Sequence, residues 1–338
     1  MLSNDEMVYP IHIINGKDLQ NRKSSSLGNM LDHIPGVNSS SWGDNIGRPV
    51  IRGMDRNRIK LLNNGIEIRD VSNMSGDHAI SFDSLASEQI EIIRGPETVI
   101  YGGGAVGGVV NIIDYRIHPE YVNGLVGKYD GSFGGANNAT SGSILMDYGF
   151  NNMMFHLDYY QRDTKNLKIP GFSVSKRLAD SDDEFARDKY GKDVLQNSYN
   201  ETNGGGLGAT YFFDNGHTGF SFAKHEQEYG TILENGAYID LESDNFKYEF
   251  EIRDLSSLLN KFKFKLSHSD YEHKEIEDGA ISQDYFDKGD DVKFELVHSL
   301  FSKSGGAIGL DLNAFRFQQK NGSFAPNNQR KNIALYAV

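Results

Sequence analysis

The residues best equipped for chemistry are an adjacent carboxylate and imidazole, Asp77 and His78, in the run Ser75-Gly76-Asp77-His78-Ala79. Both groups are hard-to-borderline donors suited to Zn²⁺. Two neighbours do not capture an ion by themselves, so two further ligands must come from elsewhere in the chain. A histidine must shed its proton to bind, and such a site therefore weakens as the pH falls below about 6.5.

Other constellations carry less. His225-Glu226-Gln227-Glu228-Tyr229 lacks the second histidine that metalloprotease spacing needs. No nucleophile stands beside a base, and no enzyme is expected. Gly102, Gly104 and Gly107 satisfy G-x-G-x-x-G, but a dinucleotide-binding turn requires a helix after the glycines. Here Val109-Val110-Asn111-Ile112-Ile113 follows, a β-branched run with strand character. The net charge of −13 argues against a nucleic-acid partner, because neutralising phosphates needs clustered Lys and Arg. With no cysteine in 338 residues, neither disulfides nor thiolate metal sites can operate.

The elements that must position Asp77 and His78 are organised around Glu88 to Asp114. This stretch starts as a strand over Ile90, Ile92 and Ile93, and turns at Arg94-Gly95-Pro96. It then crosses a segment with five glycines in seven residues before the second apolar strand. Upstream, Ser24-Ser25-Ser26 offers N-cap hydroxyls to a helix with Leu27, Met30, Leu31 and Ile34 at helical spacing, which Pro35-Gly36 stops. Val50 to Arg52 and Arg58 to Leu62 read as strands, and Asn64-Gly65 as a turn. Arg48, Arg52, Arg56, Arg58 and Arg94 form a set of guanidinium forks, read as salt bridges to surrounding structure ahead of an anionic-ligand role.

From Tyr121 onward the texture changes to repeated alternation. Leu125, Tyr129 and Phe133 share one parity; later sets are Phe155-Leu157-Tyr159, Phe246-Tyr248-Phe250 and Phe262-Phe264-Leu266. About nine to ten such strands with alternating short and long connections predict an antiparallel transmembrane β-barrel. The paired excess of 37 glycines with 17 Tyr and 20 Phe suits that class. Short turns such as Asn151-Asn152 and Ser302 to Gly306 then belong on the periplasmic side, and Asn166 to Thr202 and Lys274 to Phe286 outside. With apolar residues facing lipid, parity turns His156, His225 and His273 to the lumen. His156 follows a periplasmic turn closely. His225 and His273 lie near the outer ends of their strands and are the better partners for Asp77 and His78.

Three blocks in order resemble the plug domain of TonB-dependent outer-membrane receptors. They are Leu27 to Val37, Arg48 to Ile66 with its Ile51-Arg52-Gly53 segment, and Ile90-Glu91-x-x-Arg94-Gly95-Pro96 through Tyr101-Gly102 to Gly104-Ala105-x-Gly107-Gly108-Val109-Val110-Asn111-Ile112. The resemblance implies an α+β plug domain over residues 1–119. Residues 120–338 then form the first part of the barrel, all-β and incomplete. It also implies a bacterial outer-membrane location, a lipid surround, and coupling to the periplasmic TonB complex. The nearest sequence to a TonB-contacting box is Asp5-Glu6-Met7-Val8.

Within that family, Asp77-His78-Ala79-Ile80-Ser81-Phe82-Asp83 is similar to the zinc-uptake branch, as are Ile239-Asp240-Leu241 and Ser267 to His273. The branch implies active uptake, with zinc as transported ligand and no resident cofactor. A ferric chelate, haem or cobalamin stays open as the cargo, because the histidine-rich outer loop of some members is missing here. Plugged transporters have about 22 strands, and Ile333 to Val338 ends inside a strand. A truncated product or a portion of a longer receptor is therefore expected. A fragment that binds ligand without transporting it is the further alternative.

Overall fold

The computed structural model describes residues 11–338 except 183–184, 233, 235, 302–303 and 323–324. The segment Asp5-Glu6-Met7-Val8 lies outside the described residues.

The N-terminal part is built on a five-stranded sheet. Its strands are β1 (Ile11–Asn15), β4 (Ile59–Asn63), β5 (Ile66–Glu67), β6 (Gln89–Ile93) and β7 (Gly108–Ile113), in the order β1-β6-β7-β4-β5. Strands β4 and β7 run parallel and the other pairs antiparallel. A separate hairpin pairs β2 (Val37–Ser41) with β3 (Gly47–Ile51). Every residue of β6 and β7 is buried, so these strands are unbroken apolar-rich runs rather than alternating ones. Against one face sit α1 (Gly16–Arg22) and α2 (Leu27–Leu31), closing a core of Ile14, Leu27, Met30, Leu31, Ile90 and Val110. The Ser26 hydroxyl caps α2 by accepting from the Asn29 N–H at 3.4 Å.

The glycine segment carries no helix. Pro96–Tyr101 is a 3₁₀ turn, Gly102 and Gly104 take φ of +77° and +91°, and β7 begins at Gly108. A Cβ on Gly108 would meet Ile51 and the Ile93 carbonyl at 3.0 Å, so that glycine serves close packing of plug strands.

The remaining chain forms one antiparallel ten-stranded sheet. It begins with β8 (Gly124–Gly134), β9 (Ala139–Phe150) and β10 (Met153–Thr164). A small hairpin of β11 (Leu167–Phe172) and β12 (Lys192–Leu195) follows, with α3 (Lys176–Ala179) and α4 (Arg187–Tyr190) between its strands. The wall continues through β13 (Asn200–Phe213), β14 (Gly216–Gly230), β15 (Tyr238–Arg253), β16 (Leu259–Glu277), β17 (Ala280–Phe301), β18 (Ser304–Asn321) and β19 (Asn328–Ala337). Its polarity is inverted. Along β10, Phe155, Leu157 and Tyr159 face outward exposed, while His156, Asp158, Tyr160 and Arg162 are buried toward the plug. Among the described residues no helix is long and apolar enough to cross a membrane. An outward apolar band with a polar interior is the pattern of a barrel wall in lipid.

The plug is held to this wall by ion pairs different from those expected. Of the five expected arginines, Arg48 is buried but bonds Ser72 and, at 2.6 Å, Asn73, and Arg94 donates to the Pro35 carbonyl. Arg52, Arg56 and Arg58 are exposed. The wall is gripped instead by Arg69–Asp291 at 2.8 Å and by Arg162, whose fork takes both oxygens of Asp83 at 2.9 and 3.0 Å. Sequence reading favoured a basic cluster in one segment. The pairs used join residues 79 to 222 positions apart, and the fork is supplied by the wall as often as by the plug.

One connection also differs from expectation. Lys274 to Phe286 is not a long loop: β16 runs to Glu277, Asp278 and Gly279 turn with φ of +52° and +76°, and β17 resumes at Ala280. The strands continue there with polar residues on both faces, so the hydrogen-bond ladder persists where apolar alternation has stopped. The Asp-Gly turn was the overlooked signal.

Candidate metal centre

The loop between β5 and β6 reaches across the plug to the barrel wall and delivers His78. This imidazole is buried, with Nδ1 3.2 Å from the Val71 carbonyl oxygen and Nε2 3.1 Å from Oε1 of Glu275 on β16. Both ring nitrogens thus face acceptors, and a metal ion at Nε2 would take the place of the proton shared with Glu275. The preceding residue, Asp77, has its Oδ1 4.0 Å from the same Nε2 and accepts from the Ser75 hydroxyl. Behind the loop, the Ala79 N–H donates to the Tyr229 hydroxyl at 2.9 Å, fixing its height on the wall.

The wall contributes three residues of one parity on β16. Tyr271, His273 and Glu275 all turn inward, because side chains alternate along a strand. His273 is 0% exposed, its ring 4.6 Å from that of His78 and its Nε2 3.6 Å from Glu275 Oε1. Its Nδ1 lies 2.9 Å from the Tyr271 hydroxyl, while Nε2 has no hydrogen-bond partner. Glu275 is oriented by Gln283, whose amide donates to Oε2 at 2.6 Å.

His78, His273 and Glu275 each offer one ligand atom, and these lie within 4.8 Å of one another. Two neutral imidazoles and a carboxylate form a donor set that fits zinc, with Asp77 beside it as a fourth. Around them, Tyr229, Tyr271, Tyr285 and Ile239 make an apolar floor that limits water. A cleft of about 130 Å³ opens above, lined by Asp77, His78, Thr231, Glu234, Glu275 and Tyr285.

Electrostatics around His78 favour positive charge. Burial is the largest single influence and disfavours the imidazolium. The hydrogen bond with Glu275, the charges of Asp77 and Glu275 and the Val71 carbonyl together outweigh it, leaving the pKa above its usual value.

The structure thus brings together Asp77, His78 and His273, three of the four residues singled out from sequence. It does not bring His225 to them. That residue shares their inward parity, but its Nδ1 bonds the Tyr160 hydroxyl at 2.8 Å and it lines a separate cavity with Asp83, Arg116 and Lys247. The physical reason is height along the wall. His225 pairs with Ser243, which pairs with Tyr271, so it stands two residues lower than His273 and two strands away from it. Glu275 was missed in sequence, although its i, i+2 spacing from His273 on a strand was a usable signal.

Residues 3–109 match the family model of the TonB-dependent Receptor Plug Domain. Solved structures match across plug and wall together. The fold is that of a TonB-dependent receptor. It resembles the copper transporter OprC (TM-score 0.70, 15% identity), covering 97% of this chain and 52% of that one. It is similar to the siderophore receptor PirA from Pseudomonas aeruginosa (0.69, 17%), with coverage of 97% and 52%. The alcaligin outer-membrane receptor FauA from Bordetella pertussis (0.69, 13%) covers 100% of this chain and 53% of its own. The chain spans about half the length of these structures. They are a transporter and two receptors, in keeping with the expectation that the chain is no enzyme.

Proposed function

We propose that this chain is the plug (residues 1–119) and first part of the barrel (residues 120–338) of an outer-membrane receptor for active zinc uptake. His78, His273 and Glu275 capture the ion, with Asp77 closing the set, and the periplasmic TonB complex supplies the energy. One observation carries this reading: His78 from the plug loop converges with His273 and Glu275 of the wall, their ligand atoms within 4.8 Å of one another. The cleft lies at the end of the wall that bears the long connection between β10 and β13, which in barrels of this kind is the extracellular end. OprC, a copper transporter of the same fold, supports a bare metal ion as cargo.

A ferric chelate is the second reading, favoured by the siderophore receptors PirA and FauA. The deciding experiment is zinc calorimetry on the intact receptor in detergent and on His78→Ala, His273→Ala and Asp77→Ala forms. The expected outcome is loss of binding in the two histidine variants and weakening in the third. Unchanged zinc affinity in both histidine variants would overturn the reading in favour of a chelate.

A further inference from the structure

A second convergence of metal-type donors lies at the opposite end of the wall and does not depend on the His78 site. Asp147 on β9 and His156 on β10 are cross-strand partners near the Asn151-Asn152 turn, and His118 comes from the linker joining the plug to β8. Asp147 Oδ1 lies 2.7 Å from His156 Nδ1 and 2.8 Å from His118 Nε2, and the ligand atoms of all three residues fall within 4.8 Å of one another.

The surround resembles what a ligating histidine needs. His156 Nε2 is 3.0 Å from Asp158 Oδ2, and the Arg116 fork holds both oxygens of Asp158 at 2.7 and 2.8 Å. A carboxylate on the far nitrogen fixes the tautomer and raises the basicity of the near one, which is the usual support of a metal-bound imidazole. Both ring nitrogens of His156 face carboxylates, Nδ1 toward Asp147 and Nε2 toward Asp158. At 2.7 Å the Nδ1 of His156 and Oδ1 of Asp147 share a proton, whose place a cation can take. One carboxylate oxygen faces two imidazole nitrogens in this way, so one divalent ion can replace both hydrogen bonds. His156 is buried, whereas His118 is partly open, which leaves a face free for exchange.

We propose that His118, Asp147 and His156 form a second binding site for a divalent transition-metal ion such as Zn²⁺ or Co²⁺. Three protein ligands with an open fourth position make it a site of passage rather than of permanent structure. Its place, between linker and wall at the short-turn end, suits an ion leaving toward the periplasm.

The test uses the receptor in detergent with zinc as the probe. In a His78→Ala/His273→Ala background, equilibrium dialysis should retain one zinc per chain, and adding His118→Gln or Asp147→Asn should weaken it at least tenfold. Retention of no zinc in that background, or of zinc indifferent to both additions, overturns the proposal. Crystals of the unsubstituted receptor soaked in zinc give a check that needs no variant. Anomalous diffraction at the zinc edge should place a peak between His118, Asp147 and His156, and its absence would mean an ion-pair network only. Failure of the apical reading appears separately, as a missing peak at His78 and His273.

Discussion

Nε2 of His78 lies 3.1 Å from Oε1 of Glu275, a residue 197 positions later in the chain. Plug loop and barrel wall therefore meet in one cluster, and under the proposed zinc reading both supply ligands. The contact gives a direct prediction. Glu275→Gln keeps a hydrogen-bonding group of the same size but removes the charge, so zinc affinity measured by calorimetry should fall about tenfold or more. His225→Ala, at the other level of the wall, should leave that affinity unchanged. Equal losses in the two variants would mean that a wider field, not this contact, holds the ion.

The grip of the wall on the plug should be visible in stability. Asp83 and Arg162 are both buried, and their paired contact is bidentate. Asp83→Ala leaves a buried guanidinium without its partner, and such breakage costs about 3–5 kcal/mol. The Arg162→Ala/Asp83→Ala double variant should lose less than the sum of the singles, because no charge is left stranded. Thermal unfolding of the four forms measures this, and strict additivity would remove the pair from the interface energetics.

Much of this organisation could be read from residue order. Phe155, Leu157 and Tyr159 against His156, Asp158 and Tyr160 announced the inverted wall, because a strand has period two whatever its surroundings. The plug was legible through its buried strands and the Pro35-Gly36 stop. What escaped were relations that need the third dimension. His225 and His273 share a parity, and only the register across β13 to β16 sets their different heights. Arg69, Arg116 and Arg162 hold plug to wall because Asp291, Asp158 and Asp83 face them, and nothing in local sequence separates them from Arg52 or Arg56. Asp278-Gly279 was read as part of a loop because polar residues extend along both faces of the strands around it.

Acid should loosen the plug–linker junction in a defined direction. Asp114, at the end of β7, is buried, which alone would raise its pKa. The Arg116 guanidinium, the Lys247 ammonium and hydrogen bonds from Asn64 and the Arg116 N–H outweigh this and hold the carboxyl well below the usual range. In the unfolded chain the group titrates near about 3.9. Its stabilising contribution is therefore complete above that value and is lost as pH falls through it toward the folded pKa. The melting temperature of the parent should drop below about pH 4. Asp114→Asn should melt lower at pH 7 and converge on the parent in acid. A constant difference between the two from pH 7 to pH 3 would contradict the assignment.

The last prediction concerns the wall facing that junction. Gly206 and Gly208 lie on one parity of β13, buried toward the plug linker. A Cβ on Gly206 would collide with the Arg116 side chain, and one on Gly208 with the Arg116 carbonyl oxygen. The second collision is with backbone, which cannot rotate aside as a side chain can. Gly208→Ala should therefore displace the linker that carries Arg116 and His118, at a cost of about 1–3 kcal/mol or more. Gly127→Ala on β8 is the matched comparison, since its nearest neighbour would be the Leu145 carbonyl at 3.6 Å, an ordinary contact. There the added methyl should be neutral or stabilise by about 0.5 kcal/mol, as for glycine replaced within a strand. Melting curves of both variants decide the matter: a Gly208→Ala protein as stable as Gly127→Ala would show that the linker does not press on this wall.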